Sequence, residues 1–426
     1  MSESAVISQR RADCAAASAA HADRPAIELT IHRQLDTAET EWRTFEQSAD
    51  CTAFQSFGWI SAWCRHIGPL TRTQPAIVVG RQNGMTLFIL PLGVTPGAVR
   101  RLTWLASDLC DYNGPLLAKE CALLLTSEHF GELWRDICHR LQSDPHTRFD
   151  LVEFTKMPER VGAQANPLLA LPVGLNPSNA YVSDLFGTWT EFYEAKRSSG
   201  TRRRDRTKLK RLGEIGAVRF VTPQERGEIE RSVDMLIEQK SRSFARMGVA
   251  NMFERPGWSE FFLAVATDPS TRHLVHVSRL DVGAAWAAIN LGLVFRDTYC
   301  HVLASYDDGE TARFGAGAAH LRELLCYSIE HGLKHFDFTI GDERYKSEWS
   351  DRVLTLYDHV GAASARGVMA AGVLHGHRRL KRFIKQNEAL WSVFSRARAA
   401  LGSKSDPAPG DDATSKIHKS PSTAPD

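Results

Sequence analysis

Phe336, Phe338 and Ile340 alternate with His335, Asp337 and Thr339, the period of a strand with one buried face. Gly341 ends that run. Asp342, Glu343, Arg344, Tyr345, Lys346 and Trp349 then crowd the turn and helix predicted to follow. Upstream, Leu321, Leu324, Leu325 and Ile329 recur at helical spacing behind Gly315 and Gly317, and His331 and Gly332 close the helix. Strands are predicted over Arg272–Arg279, Ala284–Val294 and Tyr299–Ala304. The order in the second half is therefore three strands, a glycine-opened helix, a strand and the Gly341 turn.

The first half alternates in a looser version of the same order. Strands are predicted over Ile27–His32, Leu102–Ala106 and Phe149–Phe154, and helices over Thr37–Ser48, Gln55–Ile67 and Leu123–Leu141. Ala76–Val79 and Met85–Val94 pair as a hairpin turned at Gln82, Asn83 and Gly84. The expected fold is α/β, with one unit over 27–175, a second over 180–365, and a basic helix over 366–401. Residues 1–25 and 402–426 are small, polar and poor in apolar groups, and are predicted to be disordered.

Composition narrows the function classes. At 426 residues the chain can bury two cores, and 43% hydrophobic with 24% charged residues is ordinary for a globular protein. A net charge of +2 exerts no overall pull on nucleic acid, so no specific nucleic-acid partner is expected. The eight cysteines form no C-x-x-C pair and are expected to be small buried hydrophobes in a reducing cytoplasm. No segment approaches the roughly 20 apolar residues that span a bilayer. No phosphate-loop, serine-elbow or zinc pattern occurs, and no metal cofactor is expected.

Four segments carry candidate chemistry. Small residues at the start of the glycine-opened helix leave N–H groups uncovered at its positive end, where a phosphate or pyrophosphate would bind; close helix packing is the structural alternative. The loop DLCDYNGPL, Asp108–Leu116, gathers two aspartates, a tyrosine and an asparagine, which are either a candidate site or caps of their own backbone. From Lys196 to Arg211, nine residues are basic and only Asp205 opposes them. That run is a solvated helix face, a site for a phosphate-bearing ligand, or a contact with anionic membrane. His375–Gln386, HGHRRLKRFIKQ, is a second basic stretch, expected to dock on a partner or face a membrane.

The sequences AGAAHL and FDFTIGDERYKSEW, in this order, resemble GNAT-fold acyltransferases of the CelD type. That family is linked by name to cellulose and polysaccharide biosynthesis and is related to the FemAB peptidoglycan aminoacyltransferases. Ala316 and Gly317 match its small-residue-plus-glycine helix start. Asp337, Phe338, Gly341, Asp342, Tyr345 and Lys346 match its D-F-x-x-G-D-x-x-Y-K block. The chain departs from the Q/R-x-x-G-x-G/A loop of ordinary GNAT enzymes, because Arg313 stands one residue out of register with Gly317.

The resemblance covers roughly residues 27 to 361 and implies tandem GNAT-like units. The implied reaction moves an acyl group, in the simplest case from acetyl-CoA, to an amine or hydroxyl acceptor in polysaccharide or cell-envelope biosynthesis. Gly315, Ala316, Gly317, Ala318 and Ala319 would hold the donor's phosphates, and the strand edge at Tyr299–Ala304 would polarise its carbonyl. Asp337 or Asp342 would be the base, with Tyr345 protonating the leaving thiolate. Asp111, Tyr112, Arg202, Arg203 and Lys346 would meet the substrates. Asp342 as a helix cap and Tyr345 as a packed ring are the structural alternatives. Two other functions fit: an aminoacyl-tRNA-dependent transferase, and a non-catalytic scaffold that docks a polysaccharide synthase or the inner face of a membrane.

Overall fold

The computed structural model describes residues 27–386 except 120, 122–124 and 126. The segments 1–25, 387–401 and 402–426, for which disorder or a continued basic helix is expected, lie outside the described residues.

The second half is built on a seven-stranded sheet. Its order is Val218–Val221, Val275–Val282, Ala285–Phe295, Thr298–Tyr306, His335–Ile340, Ala180–Asp184 and Arg352–Leu354. Neighbours run antiparallel except Thr298–Tyr306 and His335–Ile340, which are parallel because the Ala316–Glu330 helix carries the chain across between them. Phe336 and Phe338 turn one face of their strand into a cluster with Tyr299, Leu321, Leu324, Leu325 and Trp349, as the alternation predicts. The first strand starts later than expected. Asp268 C=O accepts from both Thr271 and Arg272, so Arg272 belongs to a turn after the Trp258–Thr267 helix.

In the first half a four-stranded sheet orders Glu28–His32, Ile77–Gln82, Met85–Leu90 and Leu116–Leu117. The strand expected over Met85–Val94 is two strands. Pro91 has no N–H to continue the ladder, and Leu92–Thr95 joins a separate six-stranded sheet. The expected helix at 123–141 is Ser127–Ser143.

The sheets draw on both halves of the sequence. The strand Leu356–Ala362 leaves the second half and pairs with Leu151–Pro158 and Val173–Leu175, completing the six-stranded sheet of the first. The two halves also share one core. Trp59 and Phe54 from the first lie in the same buried cluster as Leu236, Phe261 and Leu291 from the second. The Trp59 and Phe261 rings meet edge to face at 4.8 Å. Arg296, from a second-half hairpin, donates to Glu46 C=O at 3.1 Å and also to Ala49 C=O.

Seven cysteines are described and all are free; Cys51, Cys110, Cys121 and Cys300 are buried. Among the described residues no helix is long and apolar enough to cross a membrane.

Candidate active site

The parallel pair at the sheet centre comes apart. Thr298, Tyr299 and Cys300 pair with His335, Phe336 and Asp337, but the strands run on to Tyr306 and Ile340 with no further pairing to each other. The edge expected to open at Tyr299 therefore opens only after Cys300. Opposite this fork the register with Ala180–Asp184 slips between Tyr181 and Val182, and Thr339 takes a left-handed φ of 60°. That bulge aims the Thr339 N–H at Asp337 Oδ1, 2.7 Å away, and the Thr339 hydroxyl at His301 C=O, 3.3 Å away.

Asp337 is the centre of a polar cluster between the halves. The Tyr112 hydroxyl, from the first half, donates to Asp337 Oδ1 at 2.7 Å. Asp337 is only 6% exposed. Burial pushes its carboxyl from the ordinary 3.8 up to about 6, against the opposing pull of the Tyr112 and Thr339 hydrogen bonds; neighbouring Asp111 pushes further up and Lys346 pulls down. Burial also raises Asp111, offset by Lys156, a Thr339 hydrogen bond and Lys346. Burial and the Asp337 charge keep Tyr112 protonated, so it acts as a fixed donor. The loop holding Asp111 and Tyr112 is itself pinned: Asp108 accepts from Trp63 Nε1 at 2.9 Å, and Asn113 Nδ2 donates to Thr155 C=O at 3.0 Å. Within one loop, Asp108 and Asn113 are structural while Tyr112 reaches the cluster.

Lys346 is buried, donating to Ile340 C=O at 2.7 Å and pairing with Glu343 at 3.1 Å. Gly341 permits this approach. Its φ is 134°, and a Cβ there would stand 2.4 Å from Glu343 Oε2 and 2.8 Å from Lys346 Nζ. Lys240 donates to Ala304 C=O at 3.2 Å across the fork, and burial lowers its pKa. Burial with Lys346 and Lys240 nearby holds His301 at about 3, hence neutral. Lys240 and His301 are absent from the residues picked out in sequence, and Thr339 and Glu343 were noted there without a role. For Thr339 the available signal was a polar residue recurring every second position, with His335 and Asp337, on a buried strand.

Asp342 and Tyr345 stand apart from this cluster. Asp342 is exposed and accepts from the Asn179 N–H at 3.2 Å, tying the Gly341 turn to the neighbouring strand. The Tyr345 ring packs edge to face on Phe338, on the opposite face of the strand from Asp337. That is the side of the glycine-opened helix. Burial raises the Tyr345 hydroxyl pKa, so it stays protonated.

At that helix the five small residues differ in role. Gly315 caps it at φ 71°. Ala316 and Ala319 are buried against Leu212, Leu280 and Ala288, and the Ala319 N–H already donates to Gly315 C=O at 3.0 Å. The uncovered N–H groups are therefore those of Ala316, Gly317 and Ala318. A side chain at Gly315 would come within 3.7 Å of Lys208 Nζ, and one at Gly317 within 3.3 Å of the Tyr306 ring. Backbone donors and an adjacent ammonium fit a diphosphate.

Lys208 belongs to the basic helix Ser199–Ile215, capped by Ser198. Asp205 anchors that helix inward, accepting from the Tyr193 hydroxyl at 2.7 Å and pairing with Arg322 at 3.4 Å. Acids beyond Asp205 also meet the run: Arg202 pairs with Glu194 at 3.3 Å and Arg197 with Glu348 at 3.0 Å. Arg203, Arg206 and Lys210 are exposed.

Residues 199–347, which hold the fork, the basic helix and the glycine-opened helix, match the acetyltransferase (GNAT) domain family. The segment is thus similar to GNAT-type acyltransferase domains, and it lies within an α/β chain. Among solved structures the chain is similar to FemX, with TM-score 0.53 and 10% identity, covering 77% of this chain and 96% of that one. It also matches a conserved protein of unknown function from Bacteroides thetaiotaomicron VPI-5482 (TM-score 0.48, 13% identity, 78% and 99% covered). A third match is the C-terminal domain of a putative lysylphosphatidylglycerol synthetase from Agrobacterium fabrum (TM-score 0.45, 10% identity, 79% and 94% covered). No curated protein matches the chain.

Proposed function

We propose that the fork is the active site of an acyl-CoA-dependent transferase, with acetyl-CoA the simplest donor and an amine or hydroxyl as acceptor. The observation that carries this reading is Asp337: a buried carboxyl at the opening of a splayed strand pair, poised at about 6. A base near that value is ionised at neutral pH yet retains affinity for a proton. The two faces of the His335–Ile340 strand divide the work. On the first-half side, Asp337, oriented by Tyr112 and Thr339, takes the proton as the acceptor's nitrogen or oxygen attacks the thioester carbon. On the helix side, Tyr345 gives its proton to the departing thiolate as the C–S bond breaks, and recovers one from solvent. The N–H groups of Ala316, Gly317 and Ala318, with Lys208, hold the donor's phosphates. Strand-edge N–H groups beyond Cys300 polarise the carbonyl. Asp111 and Lys346 flank the acceptor. Asp342, exposed and engaged by Asn179, is the weaker candidate for the base. The family resemblance supports a sugar or cell-envelope acceptor.

A second reading, aminoacyl transfer from tRNA, draws on the likeness to FemX and on the exposed Arg203, Arg206 and Lys210. Isothermal titration with acetyl-CoA separates the two. The acyl-CoA reading requires saturable binding lost when Lys208 is made neutral; absence of any CoA binding would leave the tRNA reading.

A further inference from the structure

Over its described side chains up to Gly376, the helix Ala365–Gln386 is attached to the body along one face. Ser364 starts it, accepting from the Gly367 N–H at 3.2 Å and donating to Asp150 at 2.6 Å. Gly367 lies so close that a Cβ there would stand 1.9 Å from Asp150 C=O. Ala370, Ala371 and Leu374, on the same side, are half-buried. At about 3.6 residues per turn, Met369 and Val373 fall on the opposite side, and they are 70% and 72% exposed. Val368, beside them, is 62% exposed. In the sequence Leu380, Phe383 and Ile384 continue the period of Met369 and Val373 along the helix. The helix contains no acidic residue. In sequence it carries Arg366, Arg378, Arg379, Lys381, Arg382 and Lys385.

We propose that this helix lies in the plane of an anionic lipid bilayer, its Met369–Val373 stripe among the acyl chains and its cations among the headgroups. Two features select a bilayer over a protein partner. An apolar stripe facing away from the body needs cover, and a cationic complement with no acid matches a uniformly anionic surface. Its length, about 33 Å at 1.5 Å per residue, provides several turns of contact, while its charge keeps it from crossing. Each Lys or Arg near anionic lipid strengthens the contact, and the contact weakens as salt rises. The inference is independent of the chemistry at the fork.

The test is flotation of the full chain with vesicles of phosphatidylcholine alone or with about one third phosphatidylglycerol, an anionic fraction chosen to give a strong surface potential. The expected result is binding to the anionic vesicles only, falling as salt rises. The double variant M369E/V373E should bind about tenfold more weakly or worse, with an unchanged melting temperature, since both positions are exposed. Replacing Arg378, Arg379, Lys381 and Arg382 with glutamine should remove the salt dependence. Absence of binding at low salt overturns the proposal, as does equal binding by M369E/V373E. So does light scattering that shows a dimer dissociated by that variant, which would make a second copy the occupant of the stripe.

Discussion

Asp337 is the residue on which the chemistry turns, and Asp337→Asn keeps its shape and its acceptor oxygen. Turnover of the asparagine variant should fall about 10²–10⁴-fold with donor affinity little changed, the usual worth of a positioned base. In the parent, kcat/KM should rise with pH through about 6 and level off above it. The stability effect runs the opposite way from that of a salt-bridged aspartate. A carboxyl whose folded pKa lies above its unfolded value destabilises the fold as pH rises from 3.8 through about 6. The cost at neutral pH is on the order of 3 kcal/mol. Asp337→Asn should therefore melt no lower than the parent at pH 8, by calorimetry, while losing activity. Tyr112→Phe removes one hydrogen bond to the carboxylate, so the acidic limb of the pH–rate profile should move up by about one pH unit; an unmoved limb would separate Tyr112 from the base. For Tyr345→Phe, turnover should drop about 10²–10⁴-fold at constant donor affinity, because only the hydroxyl is lost. Near-normal turnover would reduce Tyr345 to a ring packed on Phe338.

The Ala316–Glu330 helix supplies the prediction that belongs to an element. An aspartate at Gly317 suits a helix N-terminus, so Gly317→Asp should fold, with the half-exposed Tyr306 ring giving way slightly. It would also place a carboxylate among the uncovered N–H groups and repel a phosphate. Titration should show CoA affinity lost in a protein with parental circular dichroism. At this scale the sequence was informative. Regular periodicity located this helix, the strand after it and the strands before it to within a few residues. The failures have local causes: a turn absorbs Arg272, and Pro91 divides one expected strand between two sheets. Ala316 and Ala319 turn their side chains to the core, since successive helical positions point in different directions, while the backbone N–H groups of Ala316, Gly317 and Ala318 stay uncovered at the helix start.

The whole molecule behaves as one body because its core crosses the midpoint of the chain. Phe261 is fully buried against Trp59, and Phe261→Ala should cost about 3–5 kcal/mol. Denaturant unfolding should remain a single transition that shifts as a unit. Two transitions, with only the second half destabilised, would argue against a shared core. The same continuity takes Leu356–Ala362 into a first-half sheet: it alternates like any strand, and nothing in its own pattern names the sheet it joins.

Periodicity and turn chemistry, which act over a few residues, were enough to determine the α/β class, the Gly341 turn and the glycine-opened helix. Asp337 and Tyr112 could each be singled out as ionisable or aromatic groups near a strand end or turn. Their pairing could not, because 225 residues separate them and only packing of the halves brings the hydroxyl to the carboxylate. The raised pKa of Asp337 comes from burial, which depends on everything packed around it. The fork likewise sits beside a bulge at Phe338 and Thr339, formed where this strand pairs with one more than 150 positions upstream, so tertiary structure alone decided where the two strands part.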